Sequence, residues 1–352
     1  MRSLLSVLLI GVPATLILTL VGLSHGMIAD AQRRARGSGA DINVRAATSK
    51  NVLMQTGAAI PEEALKFFAK QPHVVAVMGV ATHPIEVTMI VNGVDLDQLE
   101  RMSGKLQYLF GGPFRGEYDV IIDRYYADQK KKRIGDTLDF MGQRWHVSGI
   151  VDGGKLAHIL VPLKTLQTLD ASSNRLSQIF LKLDNPANTD AVIKDLRKQL
   201  PDYTIISMEE LTSMIQESVN SQGLSAFVNV IMGIGVVIGF AVVCLSMYMS
   251  VLQRTREIGI LKSLGGSKAF ILNVILYEAW IMGTAGTVLG ILLSFGAKYV
   301  IETLEPASFQ MDIAFLWWPL VLALTLAAAT LGGLYPGLSA ARHDPIEALA
   351  YE

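Results

Sequence analysis

Cysteine is nearly missing: the 352 residues contain one, Cys244, so no disulfide can close within the chain and the redox compartment cannot be read from it. Charge is also scarce, at 17% against roughly 25% in ordinary soluble domains. Neither sign prevails. The formal net charge is −1 and no basic stripe with interleaved aromatics occurs, so a nucleic-acid partner is not expected. The six histidines, at 25, 73, 83, 146, 158 and 343, show no metal-ligand spacing; His73 and His146 are read as strand residues, and no metal is expected. No G-x-S-x-G elbow and no H-E-x-x-H pair is present. The run Leu264-Gly265-Gly266-Ser267-Lys268 is only superficially like a phosphate loop, because serine precedes lysine and no glycine opens the loop. No catalytic site is expected.

What the chain has in quantity is apolar residues, 51% of the total. They gather in four segments of the roughly 20 residues that a membrane-spanning helix needs. The first is Leu4 to Leu23, too long for the apolar core of a signal peptide at about 7 to 15 residues, so a retained helix is expected. The second lies within 223–253, the third at 269–297 and the fourth at 313–336, where Trp317 and Trp318 suit an aromatic belt. Cys244 falls inside the second run and is read as packing.

Loop charge gives orientation. Residues 254–268 carry Arg254, Arg256, Lys262 and Lys268 against Glu257, whereas the 298–312 loop carries Lys298 against Glu302, Glu305 and Asp312. The positive-inside rule puts 254–268 in the cytoplasm and 298–312 outside. Threading four helices from there leaves both termini, including the 337–352 tail, in the cytoplasm and residues 26–222 outside. Arg33, Arg34 and Arg36 stand against this order, and they suggest that the natural chain begins upstream of residue 1 with a basic lead-in.

Residues 26–222 read as an α+β domain. Expected strands are 41–45, 73–80, 86–91, 120–122, 137–141, 144–151, 158–161, 178–183 and 204–207, with Met141-Gly142 as a hairpin turn. Expected helices are 61–70, 124–131, 163–169 and 188–200. The more purely β middle suggests one subdomain inserted into another. Ser207 and Glu210 have capping-box spacing, so one helix is expected from about Met208 to Arg254. Its uncharged part, Ser218 to Gln253, would reach about 54 Å against a hydrocarbon core of about 30 Å.

Glu278 is an ionisable residue inside the third span, read here as a structural partner to a neighbouring helix. Small-residue pairs Gly22/Gly26, Gly235/Gly239 and Gly286/Gly290 support close helix packing. After the second span, Ile258, Leu261 and Leu264 repeat every third residue, which suits a short amphipathic helix in the interfacial plane. A plain topology anchor would carry the same charges.

The stretch Arg254 to Gly265, RTREIGILKSLG, resembles the R-x-x-E-I-G-I-L-K-x-L-G signature of FtsX/MacB-type permeases. Tyr335 to Leu349, YPGLSAARHDPIEAL, is similar to that family's closing Y-P-x-x-x-A-x-R-x-x-P-x-x-A-L, through Tyr335, Pro336, Arg342 and Pro345. Gly93-Val94-Asp95, Gly135-Asp136-Thr137-Leu138 and Val161-Pro162-Leu163 suggest the same family's MacB-like extracytoplasmic domain.

The resemblance implies a multi-pass permease of the bacterial inner membrane, in contact with lipid and working as a homodimer. A separate ABC ATPase would bind the ATP and magnesium; the chain would bind no cofactor and catalyse nothing itself. Arg254, Arg256, Glu257, Ile258, Gly259, Leu261, Leu264 and Gly265 would form the ATPase-coupling segment, with Glu257 meeting a basic group and Gly259 allowing close approach. The work would be mechanotransmission to the outer domain, for export or envelope-substrate handling, with a periplasmic adaptor among the partners it allows. The same family also implies lipoprotein release or control of a cell-wall hydrolase. A membrane-anchored receptor without an ATPase is the reading from another class, and an ion-coupled carrier is disfavoured because Glu278 stands alone.

Overall fold

The computed structural model describes residues 2–46, 59–85, 89–153, 155–221 and 224–342. In chain order, α1 (Arg2–Arg36) precedes β1 (Ile42–Ala46), β2 (Ile60–Pro61), α2 (Ala64–Phe68), β3 (Val74–Pro84) and β4 (Ile90–Val94). Then come α3 (Leu96–Ser103), β5 (Tyr108–Gly111), β6 (Asp119–Asp123), α4 (Arg124–Lys130), β7 (Thr137–Phe140), β8 (Gln143–Val151) and β9 (Ile159–Pro162). They are followed by α5 (Leu163–Leu169), β10 (Arg175–Leu176), β11 (Gln178–Leu183), α6 (Thr189–Gln199), β12 (Tyr203–Ser207) and α7 (Met208–Ser221). The chain closes with α8 (Leu224–Gln253), α9 (Thr255–Ser263), α10 (Lys268–Leu304) and α11 (Trp318–Arg342). Two compact units result, one of residues 1–26, 223–301 and 311–352, the other of residues 27–222 and 302–310.

The first unit is helical. Four helices are long and apolar enough to cross a membrane, over Ser6–Arg36, Asn229–Gln253, Lys268–Leu304 and Phe315–Ser339. They lack a polar face. Ile10, Val243, Met247, Ile271, Ile275 and Ala279 pack together inside, while Leu245, Ile281 and Leu292 stay outward, as apolar residues do when lipid rather than water covers the outside.

The second unit is built on a ten-stranded sheet of order β12-β1-β11-β3-β4-β9-β6-β8-β5, with β7 paired to β8. β1 shows the period of two: Ile42 and Val44 enter one apolar cluster, while Asn43 and Arg45 turn to the other face and bond there. That other face packs Met78, Val80, Phe180 and Ile206 beneath α3 and α7. β7 and β8 form the expected hairpin, with Phe140 opposite Gln143 and positive φ at Met141 (53°) and Gly142 (70°), the dihedral signs of a type I′ turn. Trp145, fully buried, stacks on Phe140 at 4.9 Å between ring centroids.

The β-rich middle, β4 to β9, enters the chain between β3 and β11. It extends one ladder because β3 pairs with β11 over Val74–Val80 and with β4 over Ala81–Pro84. The strand expected at 73–80 therefore runs on to Pro84, and its partner is Ile90–Val94, while residues 86–88 of the strand expected at 86–91 lie outside the described residues. His73 is not in the strand: at φ 67° it precedes β3, and its Nδ1 lies 3.0 Å from Asp184. α1 continues to Arg36, well beyond the expected end at 25, because polar Asp30, Arg33 and Arg34 bond within the second unit. α7 and α8 cover the expected long helix apart from residues 222 and 223, which lie outside the described residues.

The 298–312 loop is shorter than the charge pattern implies, since α10 persists to Leu304. Residues 302–310 belong to the second unit. Gln129 of α4 holds them, its Oε1 accepting from the amides of Ala307 (2.8 Å) and Ser308 (3.1 Å).

Candidate functional site

α8 ends at Gln253 and α9 begins two residues later, so Arg254 forms the corner. The amide of Ile258 donates to the Arg254 carbonyl at 2.9 Å, which opens the short helix. Gly265 closes it at φ 94°, with Gly266 N–H donating to the Leu261 carbonyl at 2.9 Å. That six-to-one bond with a left-handed glycine is a Schellman stop, which a side chain at position 265 would strain. Ser267 then caps α10 by accepting from Phe270 N–H at 3.2 Å.

The stripe expected along α9 divides. Three residues are short of a 3.6-residue turn, so each step drifts by about 60° and the outer two members stand about 120° apart. Ile258 packs toward Val243, Met247 and Ile271 of the bundle. Leu261 and Leu264 instead face out, at 42% and 80% exposure, beside Ile260 at 45%. Glu257 is exposed and makes no ion pair among the described residues. For Arg256 and Gly259 only the helical backbone is described.

Glu278 ties the corner to α10. Its Oε2 lies 3.4 Å from Arg254 Nη1, and its Oε1 accepts from Ser250 Oγ at 3.4 Å. Above it the bundle packs through glycine. A Cβ on Gly290 would lie 2.6 Å from Ala14 Cβ and 3.0 Å from the Gly11 carbonyl oxygen; one on Gly286 would meet Ile10 Cγ2 at 2.6 Å. Gly235 faces Ile17 and Pro13 of α1, and Gly239 faces Ala328 of α11. All four thus serve helix contacts within one chain. Gly11 and Gly332 belong with them though sequence reasoning passed them over: a Cβ on Gly332 would lie 2.8 Å from the Phe240 carbonyl oxygen. The adjacent pair Gly332-Gly333 in an apolar run was the available signal.

Of the closing signature, Tyr335 is 67% exposed on α11 and Pro336 is buried within that helix. Arg342 is its last residue, and Pro345 lies outside the described residues.

The second unit holds a polar cluster that no spacing announced. Asp30 and Arg34 of α1 form an ion pair, and Arg34 Nη1 lies 2.6 Å from His158 Nε2. His158 Nδ1 lies 2.6 Å from Asp123 Oδ2, while Asp123 Oδ1 caps α4 through Tyr126 N–H at 2.9 Å. Asp30, Asp123 and His158 are all buried. Burial pushes the His158 imidazole below its ordinary value, helped by the Arg34 charge and opposed by the Asp123 bond. Elsewhere in this unit Arg45 is 4% exposed, its Nε donating to Asn43 Oδ1 at 2.7 Å, and burial brings its guanidinium down to about 10. No group of three or more histidine, cysteine or acidic side chains that could hold a metal occurs among the described residues.

Four membrane-length helices, a short exposed helix after the second, and an α/β domain following the first define a multi-pass membrane protein of the permease class. The family model described as FtsX-like permease C-terminal matches residues 229–345, and that described as MacB-like periplasmic core domain matches residues 3–199. The chain belongs to the FtsX/MacB-type ABC transporter permeases.

Among its relatives, the uncharacterised ABC transporter permease MJ1507 of Methanocaldococcus jannaschii is 24% identical over 62% of this chain and 58% of its own. The macrolide export ATP-binding/permease protein MacB of Azoarcus is 30% identical over 56% of this chain and 27% of its own. The chain thus spans well under two thirds of the relatives it matches. The solved periplasmic region of MacB from Actinobacillus actinomycetemcomitans covers 51% of this chain and 95% of its own at 13% identity, with a TM-score of 0.38, too weak a likeness to carry an argument.

Proposed function

We propose that the chain is the permease subunit of an ABC transporter in which a separate ATPase docks on α9 and drives the second unit mechanically. Support comes above all from the exposure of Glu257, Ile260, Leu261 and Leu264 on a short helix between two membrane spans. A charged group beside exposed apolar ones is what a docking partner would bury. Glu278 braces this helix through Arg254, so a push on α9 is carried to α8 and α10.

The loop charges favour α9 in the cytoplasm, with both termini there and the second unit outside. Magnesium and ATP would bind the partner ATPase. Two copies would pair with two ATPases, an adaptor could join outside, and export or envelope-substrate handling would follow from movement of the outer unit.

Co-expression with the genes that flank it, purification and ATPase assay of wild type and Glu257→Lys tests the reading. The expected result is co-purification lost, or stimulation lost, with the charge reversed. An ATPase that never associates, or a variant that behaves as wild type, sinks the docking role of α9 and favours a membrane-anchored receptor.

A further inference from the structure

β3 is shared unequally between its neighbours. Its whole first part pairs with β11, but β4 reaches only Ala81–Pro84. From Val74 to Gly79 the other edge has no strand partner among the described residues. The direction of that edge is fixed at one point: Gly79 N–H donates to Gln98 Oε1 of α3 at 3.0 Å, away from β11. In an antiparallel ladder alternate residues share a direction, so the amide and carbonyl of Val77 point the same way. Val75 is the extra residue of a bulge between Ala76, opposite Lys182, and Val74, opposite Leu183, and it is 60% exposed.

This edge forms the floor of a groove of ≈ 310 Å³. Leu65, Lys66 and Ala69 wall one side, Gln98 and Arg101 the other, and among the described residues no acidic side chain lines it. Lys66 and Arg101 are exposed and make no ion pair among the described residues; Arg101 Nε donates only to the Asp97 carbonyl of its own helix at 3.1 Å. The six residues from Val74 to Gly79 reach about 20 Å, enough to pair with a strand of ordinary length.

We infer that this groove takes an extended polypeptide segment carrying acidic side chains, added to β3 as a further strand. Backbone pairing at Val77 supplies the register, the apolar wall at Leu65 and Val75 takes alternate side chains, and Lys66 and Arg101 select carboxylates. The inference rests on the second unit alone and stands or falls apart from ATPase docking. The opposing explanation is an edge simply guarded by cations against unwanted pairing.

The test uses the full chain in lipid nanodiscs and fluorescence anisotropy with a labelled seven-residue peptide alternating valine and glutamate. Its controls are the same peptide with lysine for glutamate, and one N-methylated at alternate backbone nitrogens to break the ladder. The acidic probe is expected to bind saturably and at least about tenfold more tightly than either control. The double variant Lys66→Glu/Arg101→Glu is expected to reverse the preference between acidic and basic probes. Absence of saturable binding, or binding that N-methylation leaves unchanged, overturns strand addition and leaves the guarded edge. Charge preference that survives the double variant overturns this groove as the site.

Discussion

His158 faces Asp123 with one ring nitrogen and Arg34 with the other, each at 2.6 Å. Arg34 can only donate, so Nε2 accepts and the single ring proton sits on Nδ1, shared with Asp123. A second proton on Nε2 would confront the guanidinium and would be left with Asp30 Oδ2 at 3.7 Å.

That arrangement predicts acid sensitivity. The lowered His158 value means that the unfolded chain binds this proton more readily than the folded one. The contribution is therefore complete above the unfolded value, about 6.5, and drains away as pH falls through it toward the lowered folded value. Thermal unfolding of the purified chain followed from pH 7.5 to 5 should show the loss. His158→Asn, whose amide can still donate to Asp123, should flatten the slope over that range; an unchanged slope would refute the assignment.

Helix packing through Gly290 should be unforgiving. An added methyl meets backbone at Gly11 and Thr15 as well as Ala14 Cβ, so nothing flexible can yield. Gly290→Ala should cost about 1–3 kcal/mol, as overpacking does, read as a lower melting temperature in detergent. Gly286→Ala should cost a similar amount, because Ile10 Cβ at 2.8 Å does not move when the side chain turns and the Val7 carbonyl oxygen lies at 3.3 Å. Gly296→Ala, which points into open space, should hold or raise the melting temperature, since alanine is the better helix residue. Equal melting of all three would mean that the α1–α10 contact is not formed.

Glu278→Gln separates bracing from stability. Arg254 and Glu278 approach only to 3.4 Å, and Ser250 Oγ still donates to Glu278 at 3.4 Å, so the amide keeps a partner when the charge is removed. Melting should hardly move. If Glu278 transmits the push from α9, stimulation of the partner ATPase should fall several-fold even so, and should stay reduced in Arg254→Gln. Wild-type stimulation in both would reduce the pair to packing.

The membrane spans were legible because apolar runs of sufficient length have few other uses. Most strands of the second unit were found to within a residue or two by their Val and Ile alternation. α3 was missed although Asp95 caps it and Leu99 and Met102 keep helical spacing; eight mostly polar residues carry too weak a period. β5 escaped because three of its four residues are exposed at a sheet edge, so nothing alternates. The cluster around His158 had no sequence signal at all. Its members stand at 30, 34, 123 and 158, and only the extension of α1 and the position of His158 just before β9, where its carbonyl accepts from Asp123 N–H, bring them together.

β3 carries one more consequence. The strand order from β12 to β5 passes through this one strand, which bonds β11 up to Val80 and β4 from Ala81 on. No residue of β3 is laddered to both neighbours, so the two parts of the sheet join at Val80–Ala81 through backbone alone. A twist at that junction would tilt the β4–β9 part of the sheet against the β12–β11 part without breaking a ladder pair.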